Sequence, residues 1–281
     1  KKEANGLEAV EDALIAGEAG DSERARKKAA RANELLGRPA LTALVSAKAA
    51  EACGDMESAR MHYTALLKTP RTQTAGQRGL ARIAEHAGDD ENLMETAAAA
   101  YSDPKSPAWA FDHLFSAQCA SEDWDGALET LAAGEKRKHI SKDTARRRRA
   151  VLLCAKAASM DTGNGANHTA ALETAIKAAE TSPGFAPASA LAARLLTKSG
   201  EVKKAANLLE KAWAQAPHPA LALAYRDVFA EEPDATKAKR MKSLIKANPA
   251  HRESFILAAE EALAKGNGVD ALAALGSLLD E

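Results

Sequence analysis

Aromatic side chains are scarce. Phe, Trp and Tyr make up 4% of the chain while the wider apolar class reaches 46%, so alanine and leucine must supply most of the buried surface. Small side chains bring helix axes close together and favour helix over sheet. An excess of either charge is lacking as well: 38 basic against 39 acidic residues leave a formal net charge of −1, which disfavours a nucleic-acid binder. Cysteine is rare. Cys53, Cys119 and Cys154 are odd in number and never in C-x-x-C spacing, which argues against a disulfide framework or a zinc site and suits a reducing compartment. No stretch approaches the roughly 18 apolar residues of a membrane span, and no signal peptide precedes the first helix. The chain opens on Lys1-Lys2 without Met; we read it as a fragment, with any N-terminal anchor outside it.

What is present is a beat. Gly20-Asp21, Gly54-Asp55 and Gly88-Asp89 stand 34 residues apart, and Glu122-Asp123 keeps the interval with Glu in place of Gly. A period of 34 marks helix-turn-helix repeats. Gly accepts the left-handed conformation that ends a helix, and Asp accepts from the free amides that begin the next. A capping box needs Glu or Gln three residues after Asp, where this chain has Arg24, Ser58, Asn92 and Gly126. Only the simple cap is predicted.

Taken in order, residues 4–18 show helical spacing, and the partner helix carries Ala25, Ala29 and Ala32 on one face before Gly37 to Pro39 end the unit. Unit two runs from Leu41 to Ala52, then Ala59, Tyr63 and Leu66, closed by Pro70. Unit three runs from Thr74 to Ala87, then Leu93, Ala97 and Ala100, closed by Pro104. Unit four has Trp109, Phe111, Leu114 and Phe115 before its turn, with Trp124, Ala127, Leu128 and Leu131 after it. A helix from Ser141 to Ala158 follows. The next turn position, Asn167, comes 44 residues after Asp123, so a ten-residue insertion sits in the loop around 160–168. The beat resumes at Gly200-Glu201. A shorter seventh unit turns at Glu231 to Asp234, and an eighth places Phe255, Ala258, Ala259 and Ala262 before Gly266-Asn267-Gly268, with Ala271, Leu275 and Leu278 after it. The last helix is not polar, so an exposed or partner-covered C-terminal face is expected. The whole chain, 1–281, reads as one domain.

No chemistry stands out. Lys136, Arg137, Lys138, Lys142 and Arg146 to Arg149 could form a patch for nucleic acid or anionic membrane. Arg146 and Arg147 continue the core face of their helix while Arg148 points away, so the charges spread around it and a solvated, salt-bridged end is the favoured reading. The seven histidines include no pair at i, i+3 or i+4. His218, between Pro217 and Pro219, reads as a loop terminator and not a metal ligand. Asp103, Asp112, Asp123 and Asp125 are not read as a catalytic pair, since Asp123 is a cap and no nucleophile is brought to it. Gly163-Asn164-Gly165 lacks the G-K-[ST] of a phosphate loop. No catalytic residue, metal site or cofactor is assigned.

Ala47, Ala59, Tyr63 and Pro70 in unit two, and Phe111, Leu114, Ala127 and Leu131 in unit four, resemble the tetratricopeptide repeat. That resemblance implies an all-α fold, a right-handed α-α superhelix of about eight helix pairs, whose first-helix positions two, five, nine and twelve line a groove. Here they are Leu7, Val10, Leu14 and Gly17; Leu41, Leu44, Lys48 and Glu51; Ala75, Arg78, Arg82 and Glu85; Trp109, Asp112, Ser116 and Cys119; and Arg194 in unit six. The lysine and asparagine of the chaperone-tail clamp are missing, because Val10 and Leu14, or Leu44 and Lys48, stand in those places. Lys48, Arg78 and Arg82 facing an acidic partner segment, with Trp109 as an apolar anchor, is one reading; ordinary solvated charges are the other, and both stay open.

Longer motifs go further. Ala108-Trp-Ala-Phe111, Asp123-Trp-Asp-Gly-Ala-Leu128, Arg146-Arg-Arg-Arg-Ala-Val-Leu-Leu153 and Ala212-Trp-Ala-Gln-Ala-Pro-His-Pro219 resemble the HemY proteins, alphaproteobacterial ones especially. The resemblance implies two membrane helices ahead of Lys1, a repeat domain on the cytoplasmic side of the bacterial inner membrane, and a link to late protohaem synthesis. It carries over no catalytic residue. It points to a scaffold that binds other proteins, haem-pathway enzymes among them. The alternative is a haem or porphyrin carrier whose groove arginines meet propionates while Trp109 stacks.

Overall fold

The computed structural model describes residues 1–161 and 167–279, and among them lie sixteen α-helices and no strand. The chain divides into two compact units at Glu122/Asp123. Unit 1 holds α1 (Lys2–Glu18), α2 (Ser22–Leu35), α3 (Pro39–Ala52), α4 (Met56–Leu66), α5 (Pro70–Ala87), α6 (Asp90–Tyr101) and α7 (Ala108–Ala120). Unit 2 begins with α8 (Trp124–Lys136), α9 (Lys142–Met160), α10 (His168–Thr181), α11 (Ala186–Lys198) and α12 (Val202–Gln215). It ends with α13 (Pro219–Val228), α14 (Asp234–Ala247), α15 (Arg252–Leu263) and α16 (Gly268–Leu279). Within each unit, helices that follow one another in sequence pack together, and first helices of adjoining pairs touch as well, α1 on α3 and α11 on α13. This is the expected all-α, tetratricopeptide-like fold.

The Gly-Asp turn does two jobs. Gly20, Gly54 and Gly88 have φ of 74°, 72° and 66°. The next amide, on Asp21, Asp55 or Asp89, donates back to Ala16, Ala50 or Ala84 at 2.9 Å and closes the preceding helix. The same aspartates then open the following helix, their carboxylates accepting from the amides of Arg24, Ser58 and Asn92. Asp123 caps α8 through Gly126 N, and Glu122 holds the left-handed position at φ 58°. Gly200 (φ 77°) and the Glu201 amide close α11 in the same way, yet neither Glu201 nor Asn167 caps the next helix with its side chain. Residues 162–166 of the expected insertion, including Gly163-Asn164-Gly165, lie outside the described residues.

Prolines behave differently from expectation. Pro39 and Pro70, read as closing their units, are the first residues of α3 and α5, so α5 starts at Pro70 and not at Thr74. The first helical position has no use for an N–H, and a φ fixed near −65° suits it. Unit seven also shifts, since Pro233 caps α14 and Asp234 is already helical.

The core is built from the alanines. Ala25, Ala59, Ala97, Ala127, Ala171 and Ala205, each four or eight residues after its turn position, are fully buried. Close approach reaches its limit at α4 and α5, where Gly76 and Gly79 lie against Tyr63: a Cβ on Gly79 would fall 2.3 Å from the tyrosine ring. In the last pair the buried residues are Ser254, Leu257, Ala259 and, as expected, Ala271, whereas Phe255, Ala258, Ala262, Leu275 and Leu278 are only half-buried. At the start of α15 the inward position is Ser254 and not Phe255, and the buried Trp213 indole donates to Ser254 Oγ at 3.2 Å. Val269 (78%) and Leu272 (65%) of α16 are exposed.

Candidate functional site

Lys48, Arg78 and Arg82 lie on α3 and α5. Glu51, itself a groove position, draws two of them: Lys48 Nζ at 3.3 Å, and the Arg82 guanidinium at 2.7 and 2.8 Å from its two oxygens. The same guanidinium donates to Tyr63 Oη at 2.9 Å, while the tyrosine hydroxyl donates to Glu51 at 2.8 Å. Burial, followed by the bond to Glu51, pushes the Tyr63 phenol well above its ordinary pKa, so it stays a neutral donor. Lys48 and Arg82 thus answer an internal carboxylate. Arg78 is exposed, and no ion-pair partner for it occurs among the described residues. Trp109 is half-buried, edge-on to His113 with centroids 6.1 Å apart. In unit one Val10 is buried, whereas Leu7 and Leu14 are exposed.

Arg194 belongs to unit 2 and lines a groove of about 570 Å³ between α11 and α13. Its α11 wall carries Pro187, Ala190, Arg194 and Thr197, which are positions two, five, nine and twelve counted back from Glu201. Leu191, Ala220, Ala224 and Val228 make it apolar, Leu223 (60% exposed) stands at its edge, and Asp227 closes the α13 side. Asp161, 10% exposed, accepts from Lys198 at 3.1 Å and from Arg194 at 3.2 Å. The hydrogen bond from Lys198 is the main reason its carboxyl is held below the usual aspartate range. Two cations share that single carboxylate, and the Arg194 side chain is 59% exposed, so the α11 wall keeps a cationic edge beside an apolar surface, with the Asp227 carboxylate across from it on α13. Sequence reasoning missed Leu223 and Asp227 because unit seven is short. Positions two, five and nine counted back from Asp234 give Ala220, Leu223 and Asp227, so the signal was there.

The basic run around α9 is arranged otherwise than expected. Arg146 and Arg147 are exposed, and Arg148 and Arg149 are half-buried. Ala145 takes the core position that starts the face, and a charged side chain cannot compete for a fully buried site. Arg146 pairs with Asp143 at 3.4 Å and Arg149 with Glu135 at 2.9 Å, which makes this end solvated and salt-bridged. His218 terminates its loop as expected, its Nδ1 accepting from Ala220 N at 3.1 Å. His168 Nε2 lies 2.6 Å from Ser199 Oγ, and the serine hydroxyl also lies 3.1 Å from the Leu195 carbonyl oxygen. Burial pushes the Cys154 thiol up, away from the thiolate that reacts. No group of three or more potential ligands able to hold a metal occurs among the described residues, and no helix among them is long and apolar enough to cross a membrane.

Comparison with known proteins supports the repeat. Residues 166–228 match the tetratricopeptide repeat family. The fold is similar to a chain in the structure of Naa15/Naa10 bound to HypK-THB, with 15% identity, TM-score 0.61, and coverage of 100% of this chain and 42% of that one. It is also similar to the C-terminal part of a repeat protein from Cytophaga hutchinsonii, with 14% identity, TM-score 0.42, and 96% and 94% covered. A third similarity is to the TPR2AB domain of yeast Sti1 in complex with pHSP90, with 16% identity, TM-score 0.39, and 86% and 97% covered. This chain spans less than half the length of the Naa15/Naa10 chain it matches. No curated protein matches.

Proposed function

We propose that this chain is the repeat domain of a non-catalytic scaffold that holds protein segments against its first-helix faces. The observation that carries this is the groove between α11 and α13, where Leu223 and an apolar lining adjoin the cationic edge of Arg194 and Lys198. Such a surface suits a segment that offers an apolar side chain and, one turn away, a carboxylate. Arg78 offers a similar contact in unit 1. The HemY-like motifs support placing the scaffold at the bacterial inner membrane, cytoplasm-facing, among enzymes of late protohaem synthesis. The test is capture from native membranes with the intact anchored protein, wild type beside an Arg194→Glu, Leu223→Glu variant. Haem-pathway enzymes held by the wild type and lost by the variant support the reading; the same proteins held equally by both overturn it.

A second reading is favoured by one detail. Two adjacent cations on an apolar groove of this size also match the propionates and macrocycle of a porphyrin. Titrating the purified domain with haem separates the two: a saturable Soret shift lost in the same variant favours the carrier, and its absence leaves the scaffold.

A further inference from the structure

Unit 1 carries another open site, and the charged side chains around it are acidic. A crevice of about 770 Å³ lies beside α6 and α7, with Leu93, Met94, Ala117 and Ala120 as its apolar surface. Met94 is 39% exposed. Around this surface stand Glu85 at the end of α5, Asp90 and Glu91 in the first turn of α6, and Asp112 on α7. All four are exposed, and none has an ion-pair partner among the described residues. The contrast within unit 1 is sharp. Its buried-side carboxylate, Glu51, is satisfied by Lys48 and Arg82, while the carboxylates of the crevice are left to whatever enters it.

We propose that this crevice binds a cationic amphipathic helix of a partner protein, with an aliphatic side chain on Leu93 and Met94 and Lys or Arg side chains directed at Glu85, Glu91 and Asp112. Charge complementarity selects the occupant. Four carboxylates repel phosphate, which excludes nucleic acid and anionic lipid surfaces. A small polyamine would meet the carboxylates but leave the apolar surface uncovered. A helix with basic residues flanking an apolar stripe satisfies both, and long basic side chains can also lay their methylene stems along Ala117 and Ala120.

The test uses the full chain and two synthetic probe helices, one of Leu, Ala and Lys and its counterpart with Glu in place of Lys, followed by fluorescence anisotropy at low salt. The Lys helix is expected to bind and the Glu helix not to. Glu85→Lys with Asp112→Lys is expected to weaken the Lys helix by about tenfold or more, because like charges then face each other. A control with the same net charge change elsewhere, Glu129→Lys with Glu180→Lys, is expected to keep binding. Both control positions are exposed. Met94→Ser is expected to weaken binding at unchanged salt dependence, which reports the apolar contact separately. Circular dichroism verifies that each variant is folded. Equal loss in the crevice and control variants would mean unspecific attraction to an acidic surface and would overturn the proposal, as would no binding of the Lys helix at all. If the chain instead self-associates, and the crevice variant alone abolishes this in sedimentation, the occupant is a second copy and the partner assignment fails.

Discussion

At Gly79 a single hydrogen in place of a methyl decides how closely two helices pack. A Cβ there would lie 2.3 to 2.4 Å from three carbons of the Tyr63 ring, and Tyr63 is buried and held by Glu51 and Arg82. The ring cannot step aside. Gly79→Ala should therefore cost about 1–3 kcal/mol, the usual penalty of overpacking, read as a lower midpoint in urea. Gly54→Ala tests a different mechanism, since nothing lies within 4 Å of its Cβ and only φ +72° resists the change. A loss of about 1 kcal/mol is expected. Glu122 gives the reverse experiment: it adopts φ 58° without being glycine, so Glu122→Gly should stabilise by up to about 1 kcal/mol. Unfolding midpoints that do not move in opposite directions for these two substitutions would count against the turn assignment. The capping aspartates add a pH dependence. Asp55 is held below the ordinary aspartate value of 3.8 mainly by the Ser58 amide, Asp89 by the side chain and amide of Asn92, and Asp12 by Lys28. Folded values below unfolded ones contribute stability that is complete above 3.8 and lost as pH falls through the depressed values. Asn caps a helix about as well as Asp but does not titrate. Asp55→Asn with Asp89→Asn should thus leave stability near pH 7 almost unchanged and flatten the acid limb of a melting-temperature profile.

Between elements, Arg82 joins three helices: it stands on α5 and donates to Glu51 of α3 and Tyr63 of α4. Arg82→Ala leaves Glu51, whose side chain is 19% exposed, with Lys48 and the tyrosine alone. A loss of roughly 1–3 kcal/mol is expected. Adding Glu51→Gln should cost less than the sum of the two single losses, and a double-mutant cycle measures that coupling. Strict additivity would show that these side chains do not brace the helices against one another. This triad also marks where sequence reading stops. The 34-residue beat places turns, caps and buried alanines without any knowledge of tertiary contacts, since local backbone conformation dictates them. It gives Arg82 a groove position by phase, but phase says nothing about Glu51 reaching across from the neighbouring helix. The intact frame of unit six gives Arg194 a groove position, whereas the short unit seven hides Leu223 from the same rule. The acidic crevice is half legible for the same reason: Glu85 and Asp112 fall on first-helix positions, whereas Leu93 and Met94 come from a second helix that the groove rule does not cover.

For the molecule as a whole, an alanine-rich chain with few aromatics draws its stability from many small contacts between neighbouring helices, and no single large core has to be filled. Its surface carries the distinguishing features. The apolar side chains of α16 illustrate this: Val269 and Leu272 contribute little to folding because they are exposed. Val269→Lys with Leu272→Lys should change stability by no more than about 0.5 kcal/mol while reducing any self-association seen in sedimentation. A large loss of stability would mean that this face is packed within the chain. The turns have one more implication, for how such a chain can be cut and joined. Residues 55–88 form one whole period, from Asp55 to Gly88, and removing them would bring Gly54 directly against Asp89. The junction regenerates the Gly-Asp turn letter for letter, with a left-handed residue before it and a capping carboxylate after it. The period is thus a unit of exchange: length can be altered in whole steps of two helices while every remaining turn keeps its own hydrogen bonds.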